Sequence, residues 1–239
     1  MPTPVEKTVV FDIRALRRAL EGGASVEKVL LRQGEAPPRE LWRLIKQHQL
    51  PFQQVPSTHL PKRRSWAAYL SPLPLYPFEA CLASPPQGIA LALVGITDPH
   101  NVGAICRSAA AFGVEWILLR SEGTPLLSND TIWRSSAGTL AYLKVVRTPR
   151  LFHSLRTLKE SGWHLAGTVR PTIAGALPYQ NWDWKKPTLL LLGSEDKGLD
   201  SAYLEQCDAL LTIAHAPQVE SLNVSAAAAI LLAEAYRNR

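Results

Sequence analysis

Beyond residue 88, short apolar runs alternate with stretches of helical periodicity. Ile89–Val94, Trp116–Leu119, Leu140–Val146, Trp163–Thr168, Thr188–Leu192 and Leu210–Ile213 predict strands, and several are apolar on consecutive residues, as strands covered on both faces are. The segments 102–112, 130–137, 150–161, 200–206 and 222–238 predict helices between them, which gives a mainly parallel α/β sheet with helices on both faces. The first third has its own pattern. Lys7–Phe11 predicts a strand, and Ile13, Leu16 and Leu20 form the apolar stripe of a helix that Gly22-Gly23 stops. Val26–Leu31 predicts a second strand, Pro37-Pro38 opens a helix with Leu41, Leu44 and Ile45 inward, and Gln53-Gln54-Val55 predicts a third strand. From Pro72 to Pro86, five prolines deny regular helix and keep the chain extended. The expected division is a small α/β domain over 1–70, a proline-rich linker over 71–88 and a larger α/β domain over 89–239.

Charge separates the same parts. Residues 1–88 carry 12 Lys and Arg against 7 Asp and Glu, a surplus of 5, whereas 89–239 carry 14 against 13, a surplus of 1. A basic front on a near-neutral remainder points to a polyanionic partner, nucleic acid first. Arg14, Arg17 and Arg18 lie off the apolar stripe of the first helix, and Lys62-Arg63-Arg64 stand near His59 and Trp66, a combination suited to a phosphate backbone and a stacked base. With 239 residues, 46% of them hydrophobic, the chain has ample core. It holds no apolar run of about 18 residues and its start lacks the layout of a secretion signal, so a cytoplasmic protein without a membrane partner is expected. Cys81, Cys106 and Cys207 are widely spaced and read as free thiols, and the six histidines show no ligand spacing, so no metal is expected.

In an open α/β sheet, ligands bind beyond the C-terminal ends of the strands, which directs attention to three turns. Gly95-Ile96-Thr97-Asp98-Pro99-His100-Asn101-Val102-Gly103 leads into a helix carrying Arg107, with Asp98 or Asn101 as its cap. Gly193-Ser194-Glu195-Asp196-Lys197-Gly198-Leu199 follows the fifth predicted strand. Ser221-Leu222-Asn223-Val224-Ser225 stands at the mouth of the alanine-rich terminal helix, where the first N–H groups lack intrahelical partners. Neither G-x-G-x-x-G nor the P-loop occurs, and Gly193-Ser194-Glu195 fails the nucleophile-elbow frame.

Together Asn101-x-Gly103-x-x-x-Arg107, Gly193-Ser194-Glu195-x-x-Gly198-Leu199 and Ser221-Leu222-Asn223-Val224-Ser225 resemble, in order and spacing, the three motifs of the SpoU (TrmH-like) RNA ribose 2′-O-methyltransferases of the SPOUT superfamily. The resemblance spans 89–237, and more loosely the first third resembles the small RNA-binding domain that precedes the catalytic half in many members. It implies a C-terminal trefoil knot, S-adenosylmethionine as methyl donor and a homodimer. Residue by residue, it implies that Gly193, Ile213 and Leu222 hold the cofactor and that Thr168 lines the same pocket. It places Arg107, Asn101, Glu195, Ser221 and Asn223 around the transfer site. The basic residues Arg14, Arg17, Arg18, Lys62, Arg63 and Arg64 are assigned to RNA by their charge and placement. The chain departs from the family at Asp12, where many relatives have glycine, in the Lys62–Trp66 region, and at Ala214-His215-Ala216, which replaces a proline-bearing turn.

The expectation is therefore an S-adenosylmethionine-dependent 2′-O-methyltransferase of structured RNA, with ribosomal RNA favoured over transfer RNA. The alternative is a catalytically silent RNA-binding or ribosome-assembly protein on the same fold.

Overall fold

The computed structural model describes residues 8–194 and 196–238. The chain begins with β1 (Thr8–Val10), α1 (Ile13–Glu21), β2 (Val26–Arg32), α2 (Arg39–Gln47), β3 (Phe52–Val55) and β4 (Trp66–Leu70). It continues with α3 (Phe78–Ala83), β5 (Ile89–Leu93), α4 (Pro99–Ala111), β6 (Trp116–Arg120), α5 (Asp130–Ser135), β7 (Lys144–Thr148), α6 (Leu151–Glu160) and β8 (His164–Val169). The last elements are β9 (Leu177–Pro178), β10 (Thr188–Leu192), α7 (Ser201–Gln206), β11 (Ala209–Thr212) and α8 (Val224–Arg237). Two compact units result: one runs to Leu73 and takes in Leu126–Tyr142, and the other holds Pro74–Pro125 and the chain from Leu143 onward.

The first unit is built on a four-stranded sheet in the order β1-β4-β2-β3, with β4 antiparallel to β1 and β2, and β3 parallel to β2 at the edge. Asp12 is the N-cap of α1, its Oδ1 accepting from the Ala15 N–H at 2.9 Å, so the position where many relatives carry glycine has a structural role here. The inner face of α1 is Ala15, Leu16 and Ala19, one step round from the expected stripe of Ile13, Leu16 and Leu20. Two of these three buried positions are alanines, so the helix can pack close on that face.

The second unit holds a seven-stranded sheet, β7-β6-β5-β10-β8-β11-β9, in which every neighbouring pair is parallel. β5 and β10 lie side by side and are buried at every position, which is why their sequences lack alternation. Asp98 rather than Asn101 caps α4: its Oδ1 accepts from the His100 N–H at 2.9 Å, and Pro99 occupies the first helical position, where a missing N–H costs nothing. α4 packs against α8.

The structure corrects four sequence expectations. Phe78–Ala83 is helical inside the proline-rich stretch, because Pro77 sits at its N-cap, outside the helical hydrogen bonds. The strand expected at Leu140–Val146 is β7, Lys144–Thr148; Thr139–Tyr142 forms a 3-10 turn, so the apolar run divides between two elements. Trp66 opens β4 and is 6% exposed, a core residue unavailable to a stacked base. Arg17 is ion-paired with Glu40, so its charge is engaged within the unit. The Lys7 end of the first predicted strand lies outside the described residues.

Candidate active site

β8, β10 and β11 run parallel, so their C-terminal ends open on the same side of the sheet, and the backbone that leaves them forms a cavity of about 390 Å³. Thr168 and Arg170 come from β8 and its exit, Gly193 from the exit of β10, Ile213 from the exit of β11, and Leu222 from the approach to α8. A volume in the range of small-molecule sites, with apolar walls and a few polar groups, suits a small organic ligand. All four residues assigned to the cofactor, Thr168, Gly193, Ile213 and Leu222, line this one cavity, as does Ser221. Thr168 serves partly as a brace, because its hydroxyl donates to the Leu191 carbonyl at 3.1 Å.

The loop after β10 closes on itself. Ser194 N–H donates to the Gly198 carbonyl at 3.1 Å and Gly198 N–H to the Ser194 carbonyl at 2.9 Å, with Gly198 at φ +68°. Glu195, expected among the polar motif residues, lies outside the described residues.

The transfer-site asparagines meet. Asn223 is the N-cap of α8, its Oδ1 accepting from the N–H groups of Ser225 at 2.9 Å and Ala226 at 3.3 Å and from the Ser225 hydroxyl at 2.6 Å. Its amide nitrogen then donates to Asn101 Oδ1 at 3.0 Å, 122 residues away in sequence. One side chain therefore does two jobs: it satisfies the orphan N–H groups of α8 and ties the start of that helix to the first turn of α4. Arg107 is exposed on α4, and among the described residues no side chain pairs with it. A guanidinium in that state is free to meet an anion from outside.

Arg170 and His215 are among the cavity residues that the sequence did not single out for the site. Arg170 Nη1 pairs with Glu220 Oε1 at 2.8 Å, and Nη2 reaches the Asp196 carbonyl at 3.4 Å, so this side chain links three of the loops around the cavity. Its signal in sequence was its place directly after a parallel strand, the same place that Gly193 and Ile213 hold. His215, in the segment that replaces a proline-bearing turn, donates from Nδ1 to the Ile213 carbonyl at 2.8 Å and so braces the turn by a side chain instead of a ring. An acceptor-only carbonyl fixes the proton on Nδ1.

No thiol competes as a nucleophile. Burial pushes Cys81 up to about 11, with Glu115 adding to the shift, and pushes Cys106 and Cys207 up to about 12, so all three stay protonated near neutral pH. No described helix is long and apolar enough to cross a membrane.

Known proteins share this sequence and architecture. The model of the SpoU rRNA Methylase family matches residues 88–233. A Staphylococcus saprophyticus protein described as a TrmH family tRNA/rRNA methyltransferase is 27% identical over 246 aligned residues, covering 98% of this chain and 97% of its own. The SpoU methyltransferase AviRb from Streptomyces viridochromogenes, solved in complex with AdoMet, superposes with a TM-score of 0.81 at 25% identity, over 97% of this chain and 90% of that one. An RNA 2′-O ribose methyltransferase superposes with a TM-score of 0.77 at 28% identity, over 98% and 89% of the two chains. With more than half of its length matched by the family model, this chain belongs to the SpoU rRNA methylase family.

Proposed function

We propose that the protein methylates a ribose 2′-hydroxyl in structured RNA with S-adenosylmethionine as donor, ribosomal RNA being favoured over transfer RNA. The observation that carries this reading is the convergence of Thr168, Gly193, Ile213 and Leu222 on one cavity, with the Asn101–Asn223 pair beside it. The AdoMet complex of AviRb and the 2′-O ribose methyltransferase of the same fold support the donor and the acceptor group respectively.

When bound, the cofactor supplies an electrophilic methyl on a sulfonium. The protein's part is alignment of the hydroxyl with that methyl and stabilisation of the oxygen as its proton leaves. Gly193, Ile213 and Leu222 offer backbone and apolar contacts for the cofactor, and Thr168 shapes the wall. Asn101 and Asn223 orient the ribose through hydrogen bonds, and Ser221 braces the approach to α8 or meets the substrate. Arg107 is not the base, because a guanidinium offers N–H donors and no acceptor. It grips the target phosphate and stabilises the developing alkoxide, the proton passing to a phosphate oxygen or to water.

The reading extends to a small RNA-binding domain over 1–70, in which Arg14, Arg18, Lys62, Arg63 and Arg64 contact phosphates, to a trefoil knot at the C-terminal end of the larger domain, and to a cytoplasmic homodimer. The dimer is supported by α8, whose exposed Ala226 and Ala233 give apolar surface with little bulk to hold a partner away.

Mapping of 2′-O-methylation across total RNA with and without the gene tests the function. Loss of one or a few methylated riboses is expected; an unchanged map together with no S-adenosylmethionine binding at millimolar concentration establishes the silent RNA-binding alternative. The asparagine pair gives a sharper test. Asn223→Asp keeps the oxygen that caps α8 and adds a charge favoured at a helix N-terminus, but it removes the donor to Asn101. Thermal stability is expected to hold within about 0.5 kcal/mol while turnover falls about tenfold or more. A fall in stability with unchanged turnover per folded molecule would reduce Asn223 to a cap.

A further inference from the structure

With Trp66 buried, the first unit has no aromatic surface where the sequence placed one. It has one elsewhere. Phe52, on the edge strand β3, is 48% exposed and meets Trp42 of α2 edge to face, ring centroids 5.2 Å apart. Lys46, one turn after Trp42 on the same helix, sets its ammonium 5.5 Å from the Trp42 ring centroid. Arg39, Arg43 and Lys46 are all exposed on α2, and the helix's one acid, Glu40, is ion-paired with Arg17. The edge of β3 beyond Phe52 adds exposed Gln53 and Gln54, uncharged donors and acceptors.

We propose that the Trp42–Phe52 pair is a stacking platform for an unpaired RNA base, with Arg39, Arg43 and Lys46 holding the flanking phosphates. The proposal rests on the RNA-methylation reading and names which surface of the first unit takes the substrate. Three features argue for RNA over a second copy of the chain. The patch carries three cations and no uncompensated acid, so two copies related by symmetry would set like charges against each other. A pair of rings at right angles leaves an exposed π-face, and every base has one to match. Arginine and lysine beside aromatic rings, with amide side chains at the edge, supply phosphate grip and adaptable hydrogen bonds without a demand for one sequence.

Fluorescence anisotropy of the full chain with a 5′-labelled, mixed-sequence 20-nucleotide single-stranded RNA tests the platform. Phe52→Ala, a change at a half-exposed edge position, is expected to weaken binding about tenfold with no change in the slope of log affinity against log salt. Phe52→Tyr keeps the ring and is expected to bind like the parent. Lys46→Gln is expected to lower the salt slope by about one. Equal affinity for Phe52→Ala and the parent overturns the proposal. So does a loss accompanied by a change in sedimentation, which assigns the patch to a contact between copies. Cofactor affinity, measured by calorimetry on the same variants, is expected to stay unchanged, so failure of the platform is distinct from failure of the methyltransferase reading.

Discussion

Lysine in place of Arg107 is expected to leave S-adenosylmethionine affinity within about twofold of the parent and to lower turnover about a hundredfold, the scale seen when one preorganised donor to a developing oxyanion is removed. Three observations lead there. Arg107 is exposed on α4 and has no side-chain partner among the described residues, so none of these depends on its fork of donors. It is not among the residues that line the cavity, so cofactor binding does not require it. Lysine keeps the charge and loses the planar, bidentate geometry, so the substitution separates simple attraction of RNA from the alignment of a phosphate and a nascent alkoxide. Calorimetry gives the first quantity and single-turnover methyl transfer the second. Undiminished transfer in Arg107→Lys would show that charge alone suffices and would remove the alignment role. A parallel loss of cofactor affinity would move Arg107 from the reaction to the pocket.

Much of the larger domain could be read in advance because its strands are buried on both faces. A run such as Thr188–Leu192 is five residues long and apolar throughout after Thr188, the length and pattern of a strand covered on both faces, and it is buried at every position. The resemblance assigned Gly193 and Ile213 to the cofactor, and the parallel sheet supplies a physical reason for their meeting: residues just past its strand ends share one side, and both line the same cavity. What stayed hidden depends on pairings across the sequence. Nothing near Arg170 indicates Glu220, and nothing near Asn101 indicates that Asn223 both caps a helix and reaches across 122 residues. The first unit was read less well for a related reason. Its strands are short and its sheet is mixed, so Trp66 looked like a linker aromatic beside basic residues although β4 threads it through the middle of the sheet, between β1 and β2. The reassignment of Leu126–Tyr142 to that unit has no local signal, since the segment is separated from it by more than fifty residues of the other unit.

Alanine at Gly193 is expected to weaken cofactor binding about a hundredfold, and the reason is steric. A methyl group there would lie 2.3 Å from the carbonyl carbon of Gly198, 2.4 Å from its oxygen and 2.6 Å from the Leu199 nitrogen. These are backbone atoms, which cannot rotate aside as a side-chain end can. Relief requires the loop to open, which breaks the two Ser194–Gly198 hydrogen bonds and pulls Leu199, buried at 7% exposure, away from the core cluster that holds it. Overpacking of this kind costs about 1–3 kcal/mol, and in a loop that forms the wall of the cavity a cost of about 3 kcal/mol falls on binding as a loss of roughly a hundredfold. Gly198→Ala is the matched comparison. Its Cβ meets nothing within 4 Å, but its φ of +68° makes an alanine there strained by about 1–2 kcal/mol, with no displacement of the wall required. The two variants therefore separate shape from conformational strain: thermal unfolding is expected to fall in both, whereas cofactor affinity is expected to fall far more in Gly193→Ala. Equal affinity in Gly193→Ala and the parent, with the fold intact, would mean that the cofactor is held elsewhere than beyond the ends of β8, β10 and β11.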